Sequence, residues 1–370
     1  SALSEGLGDT SQGPDHRLVE LYRRWGTGGF GLVVTGNVMV DRSHLGEPGN
    51  VVIEDDRHLD GLSRWAKATK DGGGLIWMQV NHPGRQANPL ATASQPVAPS
   101  AIKMNVPGWQ APRELTDDEI ENIIDRYATT ASIADAAGFD GVQIHGAHGY
   151  LVAQFLSPRT NRRTDRWGGD PEHRMRFVLE VVRRTRAAVS PGFSVAIKLN
   201  SADFQRGGFT EEESRAVIAA LASEEVDLIE ISGGTYESPA MEGRPLVTSA
   251  STQAREAYFL EYARTAREAA GDVPIAVTGG FRTEAAMSDA IRSGDCDVVG
   301  LGRPTTVNPE SADSLLTARK DKLTVPDASL PLPGWLASTG RAKSFLSALE
   351  LQWHNTQLHR LGAGTDPDPT

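Results

Sequence analysis

One cysteine in 370 residues closes off several chemistries. Cys296 has no partner for an internal disulfide, and it cannot by itself build a cysteine-rich zinc site or a cysteine-ligated iron–sulfur cluster. That count suits a reducing, cytoplasmic setting. Long apolar runs are also missing, so no stretch reads as a membrane-spanning helix. Basic residues are outnumbered: Lys and Arg total 37 against 48 Asp and Glu, a formal charge of -11. This balance argues against nucleic acid or an anionic membrane as the main partner. No Gly-x-Gly-x-x-Gly follows a strand, which removes the usual mark of a doubly wound dinucleotide domain. The chain has no initiating Met and opens at Ser1, in what reads as the tail of a strand, so the sequence is read as a fragment.

What is present is regular. The 38 glycines and a hydrophobic fraction of 39% suit an α/β chain with many tight turns. After the strand stub at Ser1–Leu3 come a helix over 15–27 and a strand at 31–36. A helix near 57–71 and a strand at 74–80 follow. Residues 86–114 are rich in Pro, Ala, Ser and Asn, and so long a loop in a compact chain is usually functional. Thr116 and Glu119 form a capping box that starts a helix running to about residue 137. Strands at 139–145, 194–199, 226–231, 274–279 and 297–302 alternate with helices near 171–189, 210–223, 252–270, 283–293 and 308–320. Seven full strands and the stub, apolar on both faces as parallel strands are, alternate with eight helices. That pattern predicts a (β/α)8 TIM barrel over 1–324, lacking most of its first strand. Residues 325–370, helical in the middle, are read as a C-terminal appendage.

In such a barrel, chemistry sits at the C-terminal ends of the strands. The residues there are Ser4, Gly36, Asn37, Gln79, Asn81, His82, His145, His148, Tyr150, Lys198, Ser232, Gly279, Gly280, Gly302 and Arg303. Gly279, Gly280, Gly302 and Arg303 occupy the loops after strands seven and eight, where barrels often bind phosphate. The Gly279-Gly280 pair is read as opening a helix whose N-terminal amides face an anion. Gln79 can donate and accept together, which suits a heterocycle edge. Lys198 brings positive charge into the mouth, or offers a Schiff-base amine. His145-x-x-His148 lacks the further ligands a metal needs, and no metal is expected.

Residues 138–169, GFDGVQIHGAHGYLVAQFLSPRTNRRTDRWGG, resemble the signature of the old yellow enzyme family of flavin-dependent NAD(P)H oxidoreductases. The runs MQVNHPGR at 78–85, RMRF at 174–177, SADF at 201–204 and GLGRP at 300–304 also look like motifs of that family. The resemblance covers nearly the whole barrel and fits the short, single-domain class. It implies bound FMN, reduced by NADH or NADPH, and a small-molecule activated alkene as substrate. By the same resemblance Gly279, Gly280, Gly302 and Arg303 hold the phosphate. Ala2, Leu3 and Ser4 lie along the flavin, with the Ser4 hydroxyl near the C4 carbonyl. Gly36 leaves room for the ring, Gln79 bonds its pyrimidine side, and Lys198 stands beside N1 and the C2 carbonyl. His145 and His148 would hold a carbonyl or nitro oxygen. Tyr150 would donate a proton, since a phenol with a reference pKa near ~10 stays protonated at neutral pH. The family's N-terminal hairpin is not in this sequence. A Schiff-base aldolase using Lys198 and a flavin-binding protein without catalysis are the competing readings; the sequence is also compatible with a homo-oligomer.

Overall fold

Apolar runs and amphipathic stretches alternate along the chain, and they become alternating strands and helices in the computed structural model, which describes residues 1–106, 108–233, 259–326 and 340–368. Helix α1 (His16–Gly26) buries Leu18, Leu21, Tyr22 and Trp25 on one face, and Asp15 caps it by accepting from the Arg17 amide. Strands β1 (Leu32–Val34), β2 (Val38–Met39) and β3 (Val51–Val52) follow, then α2 (Leu59–Lys70) and β4 (Leu75–Asn81). Tyr22 packs edge-on against Trp25 and Trp65, with ring centroids 5.0 and 5.1 Å apart. The long loop contains two short strands, β5 (Val97–Ala98) and β6 (Arg113–Glu114), which pair with each other. Helix α3 (Asp117–Ala136) starts at the expected Thr116–Glu119 capping box. Then come β7 (Gly141–Gly146), α4 (Leu151–Leu156), α5 (Pro171–Ala188), β8 (Ser194–Asn200), α6 (Glu211–Ser223) and β9 (Leu228–Ser232). The remainder is α7 (Leu260–Ala270), β10 (Ile275–Thr278), α8 (Glu284–Arg292), β11 (Val298–Gly300), α9 (Pro304–Val307), α10 (Ser311–Leu316) and α11 (Gly340–Gly362).

The main sheet is parallel throughout and runs β11-β10-β9-β8-β7-β4. On the far side of β4, β1 pairs with Leu75–Trp77 and β2 with Val80 and Asn81, so the two are halves of one interrupted barrel strand. The central strands are buried beyond their first residue, and β7 completely. Each such Val, Leu or Ile contributes about 1.5–3 kcal/mol.

The structure departs from the expected elements in three places, and a fourth falls partly outside the described residues. Residues Ser1–Leu3 form no strand. They cross the seam between β11 and β1: the Ser1 α-amino nitrogen donates to Leu301 O at 2.8 Å, and just beyond them the Gly36 amide donates to the Glu5 carboxylate at 2.9 Å. Of the helix expected over 308–320 only α10 forms, over Ser311–Leu316; the short α9 lies before that range, and Asn308 and Pro309 separate the two, where proline lacks the amide a continuous helix needs. Helix α4 and strands β2, β3, β5 and β6 are too short to show periodicity. The helix expected over 252–270 is seen from Leu260; its first part lies outside the described residues, as do Tyr236 and Met241.

Helix α11 returns to the beginning of the chain. Leu358 and Leu361 are buried, and His359 Nε2 lies 3.0 Å from Glu5 O. The seam has no spare room. A Cβ on Gly36 would stand 2.0 Å from Glu5 Oε2 and 2.2 Å from Leu3 O. Gly36→Ala is therefore expected to displace residues 3–5 and cost about 1–3 kcal/mol, read as a lowered denaturation midpoint with the slope unchanged.

Candidate active site

Strand β7 delivers His145 into the barrel mouth, and the chain then reverses. His148 has φ +57° and Gly149 φ +78°, a left-handed pair that folds Tyr150 back beside the strand it left. The result is a cluster of three rings. The centroid of His145 lies 5.1 Å from that of His148 and 4.8 Å from that of Tyr150. His145 Nδ1 accepts from the Ala147 amide at 3.2 Å, so its proton is on Nε2. Burial, aided by the nearby His148 and Lys198, holds this imidazole well below its ordinary pKa. Burial and Lys198 push His148 down to about 3. Both rings are neutral across the physiological range. The Tyr150 hydroxyl meets Asn37 Nδ2 at 3.5 Å, beyond the end of β1.

His148 is held from two sides. Its amide donates to Asn200 Oδ1 at 3.2 Å, and its Nε2 lies 2.8 Å from Ser232 Oγ. Ser232→Ala is expected to free the ring and weaken a phenolate or carbonyl ligand about fivefold, the equivalent of one net hydrogen bond of ~1 kcal/mol, measured by titration of the visible spectrum.

Gln79 and Lys198 are joined through Gln143, which lies in the 138–169 stretch without a role assigned to it, and Glu230, which lies outside the quoted motifs. Gln79 Nε2 donates to Gln143 Oε1 at 2.8 Å, Gln143 Nε2 donates to Glu230 Oε2 at 2.7 Å, and Lys198 Nζ donates to Glu230 Oε1 at 3.0 Å. Strand register brings them level: Gln79 faces Gln143, and Lys198 faces Glu230. The ion pair engages the Lys198 nitrogen as an ammonium donor, whereas a Schiff base needs a free amine. The signal for Glu230 was an acidic residue inside the apolar run of β9.

A cavity of about 580 Å³ opens beside this layer. Ala2, Leu3, Ser4, His148, Lys198, Gly279, Gly280, Gly302 and Arg303 all line it; Gly36, Gln79, His145 and Tyr150 are not among its lining residues. Leu3 and Glu5 stand directly against Gly36. The Ser4 hydroxyl donates to Glu47 rather than into the cavity, and burial raises that carboxyl. Gly279 and Gly280, with φ of 123° and 94°, hold a backbone shape other residues rarely adopt. They do not open a helix, because α8 starts later, capped by Thr283. Arg303 pairs with Glu350 of α11 at 2.7 Å. His354, also on α11, lines the cavity, and its buried Nε2 has no hydrogen-bond partner. The wall thus combines apolar surface, open glycine backbone, a guanidinium and an orphaned imidazole nitrogen. That set fits a planar group carrying a phosphate.

Among the described residues, Asp41, His44 and His82 form a group that could hold a metal ion. The hydrogen bonds oppose it. His82 Nδ1 accepts from the Gly84 amide at 3.0 Å, which leaves the proton on Nε2, the nitrogen facing Asp41 at 3.6 Å. No described helix is long and apolar enough to cross a membrane.

Residues 7–322 match the NADH:flavin oxidoreductase / NADH oxidase family. The chain belongs to that family. This NADH:flavin oxidoreductase is 38% identical over 330 residues to the NADH-dependent flavin oxidoreductase iliE of Hypocrea jecorina, covering 84% of this chain and 82% of that one. Its structure is similar to 2-naphthoyl-CoA reductase in complex with 2-naphthoyl-CoA, with a TM-score of 0.80 and 27% identity, over 86% of this chain and 49% of that one. It therefore spans about half the length of that reductase. The old yellow enzyme homologue of Zymomonas mobilis shares the fold at a TM-score of 0.71 and 24% identity, over 93% and 94% of the two chains. The flavin oxidoreductase is thus an FMN-dependent enzyme on a TIM-barrel fold, and the cavity has the chemistry to accept its cofactor.

Proposed function

We propose that the enzyme reduces the carbon–carbon double bond of a small activated alkene, conjugated to a carbonyl or nitro group, with NADH as reductant. The observation that carries this reading is the cluster of His145, His148 and Tyr150, two neutral imidazoles and a phenol packed together at one mouth of the barrel. Ala2, Leu3, Ser4, Gly279, Gly280, Gly302 and Arg303 would hold FMN along the cavity, with Gln79 and Lys198 toward its ring. Gln79 has already spent one amide hydrogen on Gln143, so its carbonyl oxygen and second N–H remain for that edge. When bound, FMN supplies the hydride.

The chain's own residues do the rest. His145 offers Nε2–H to the substrate oxygen, and His148, steadied by Ser232, offers a second contact. Two preorganised donors favour the negative charge that develops on that oxygen. Tyr150 then gives its proton to the α-carbon. The wall also has Met104 and Trp109 from the long loop, apolar surface suited to a conjugated substrate. The naphthoyl-CoA reductase neighbour carries a ligand of that conjugated-carbonyl kind. Residues 1–324 would form the catalytic unit and 325–370 an appendage laid against it. The single cysteine favours a cytoplasmic setting.

The test is a titration of the FMN-loaded protein with p-hydroxybenzaldehyde. A long-wavelength charge-transfer band is expected, weakened in His145→Ala, together with NADH-driven turnover of cyclohexenone. A flavin-loaded protein that shows neither the band nor turnover would sink the proposal.

A further inference from the structure

We infer that Glu230 is a positioning residue that sets the charge and the hydrogen-bond polarity of the wall formed by Lys198 and Gln79, and so lowers the reduction potential of the bound flavin. The inference rests on the reading that Lys198 and Gln79 face FMN. Glu230 lies inside β9, where it is 3% exposed, and its two oxygens serve different partners. One accepts from Lys198 Nζ at 3.0 Å, the other from Gln143 Nε2 at 2.7 Å.

Two consequences follow from a carboxylate in that place. The first concerns orientation. An ionised carboxylate only accepts hydrogen bonds. It therefore turns the amide of Gln143 NH2-inward, which presents the Gln143 oxygen to Gln79 and fixes the direction of the Gln79 amide in turn. Burial by itself would raise the Glu230 carboxyl, but the Lys198 ammonium and the donors around it bring it below the ordinary carboxylate range, so it stays an acceptor. The second concerns charge. A lone buried ammonium would favour electron uptake by a neighbouring flavin that gains negative charge. A carboxylate 3.0 Å from Nζ cancels most of that field. The pair presents a dipole where a lone lysine would present a full positive charge.

The experiment compares four FMN-loaded proteins: wild type, Glu230→Gln, Lys198→Gln and the double variant. The readout is the two-electron midpoint potential, measured by equilibrium reduction against a reference dye. Glu230→Gln should bind reduced FMN relative to oxidised FMN at least tenfold more favourably than wild type, a rise of about 30 mV. Lys198→Gln should shift the ratio at least tenfold the other way. The double variant should lie at least tenfold above Lys198→Gln. It removes both partners of the ion pair rather than leaving one of them buried alone, so the comparison stands even where Glu230→Gln alone fails to fold. A potential that responds to Lys198→Gln but is the same with and without Glu230 overturns the role of Glu230 and leaves the cofactor placement intact. A potential indifferent to Lys198→Gln overturns the placement of Lys198 against the flavin, and the inference with it.

Discussion

Tyr150→Phe should slow reduction of an enone about 10²–10⁴-fold, the usual contribution of a positioned general acid. The substitution removes one oxygen and keeps the ring. Tyr150 is buried and packs 4.8 Å from His145, so the phenylalanine variant retains the packing that holds the cluster together. Its hydroxyl meets Asn37 Nδ2 at 3.5 Å, and that contact is lost with the oxygen. The loss should therefore fall on proton delivery. Rapid-mixing experiments separate the halves of the cycle: FMN reduction by NADH should change far less than reoxidation by the enone. Substrate polarised by His145 and His148 would still bind, so KM should move less than kcat. Equal reoxidation rates in the two proteins would remove Tyr150 from the chemistry and shift the search for the proton donor to solvent. Because both imidazoles are already neutral, the pH profile above pH 6 should owe nothing to them.

A second large effect belongs to the seam. Glu5 is buried with Tyr22 and the Gly36 amide donating to it, and burial raises its carboxyl from 4.5 to about 7. A raised acid binds its proton more tightly in the folded state than in the unfolded chain. Its favourable contribution is complete below the unfolded value and is lost as pH rises through the folded one. Between pH 4.5 and about 7 the folded protein should lose about 3 kcal/mol from this group, taking 1.36 kcal/mol per unit. Glu47, also raised by burial, works in the same direction. Glu5→Gln should flatten the fall. It should be more stable than wild type at pH 8, and the two proteins should converge toward pH 4.5. Urea unfolding at a series of pH values measures this directly. Parallel curves for the two proteins would show that Glu5 does not titrate in that window.

Much of this architecture could be read before any coordinates. The apolar runs that became β4, β7 and β8 are long enough to show, and the Thr116 capping box marks a helix start. His145, His148 and Tyr150 were visible as a motif because they follow one strand. The contacts that give them their properties were not. Asn37 and Ser232 were among the strand-end residues singled out and Asn200 was not, but their bonds to the cluster follow only from how the strands are arranged in the sheet. Glu230 and Gln143 sit within strands, where a polar residue is easily taken for an isolated exception. Their meaning depends on a register that no local pattern encodes. Gly36 and Ser4 have contacts that their local sequence does not announce: Glu5 stands against Gly36, and Ser4 donates to Glu47. The stub at Ser1–Leu3 had the composition of a strand and lacked the backbone partners that would make it one.

The contact between His359 and Glu5 also places the two ends of the story far apart in time. A ribosome adds roughly 5–20 residues each second, so position 359 is made some 20–70 s after position 5. Throughout that interval residues 1–5 and the face of α1 that later meets α11 wait without their cover. A newly made chain can therefore assemble its central strands during synthesis, while one wall of the cavity is added much later, when Leu351 and His354 arrive. The strands of the barrel thus wait for a wall that the order of synthesis supplies after them.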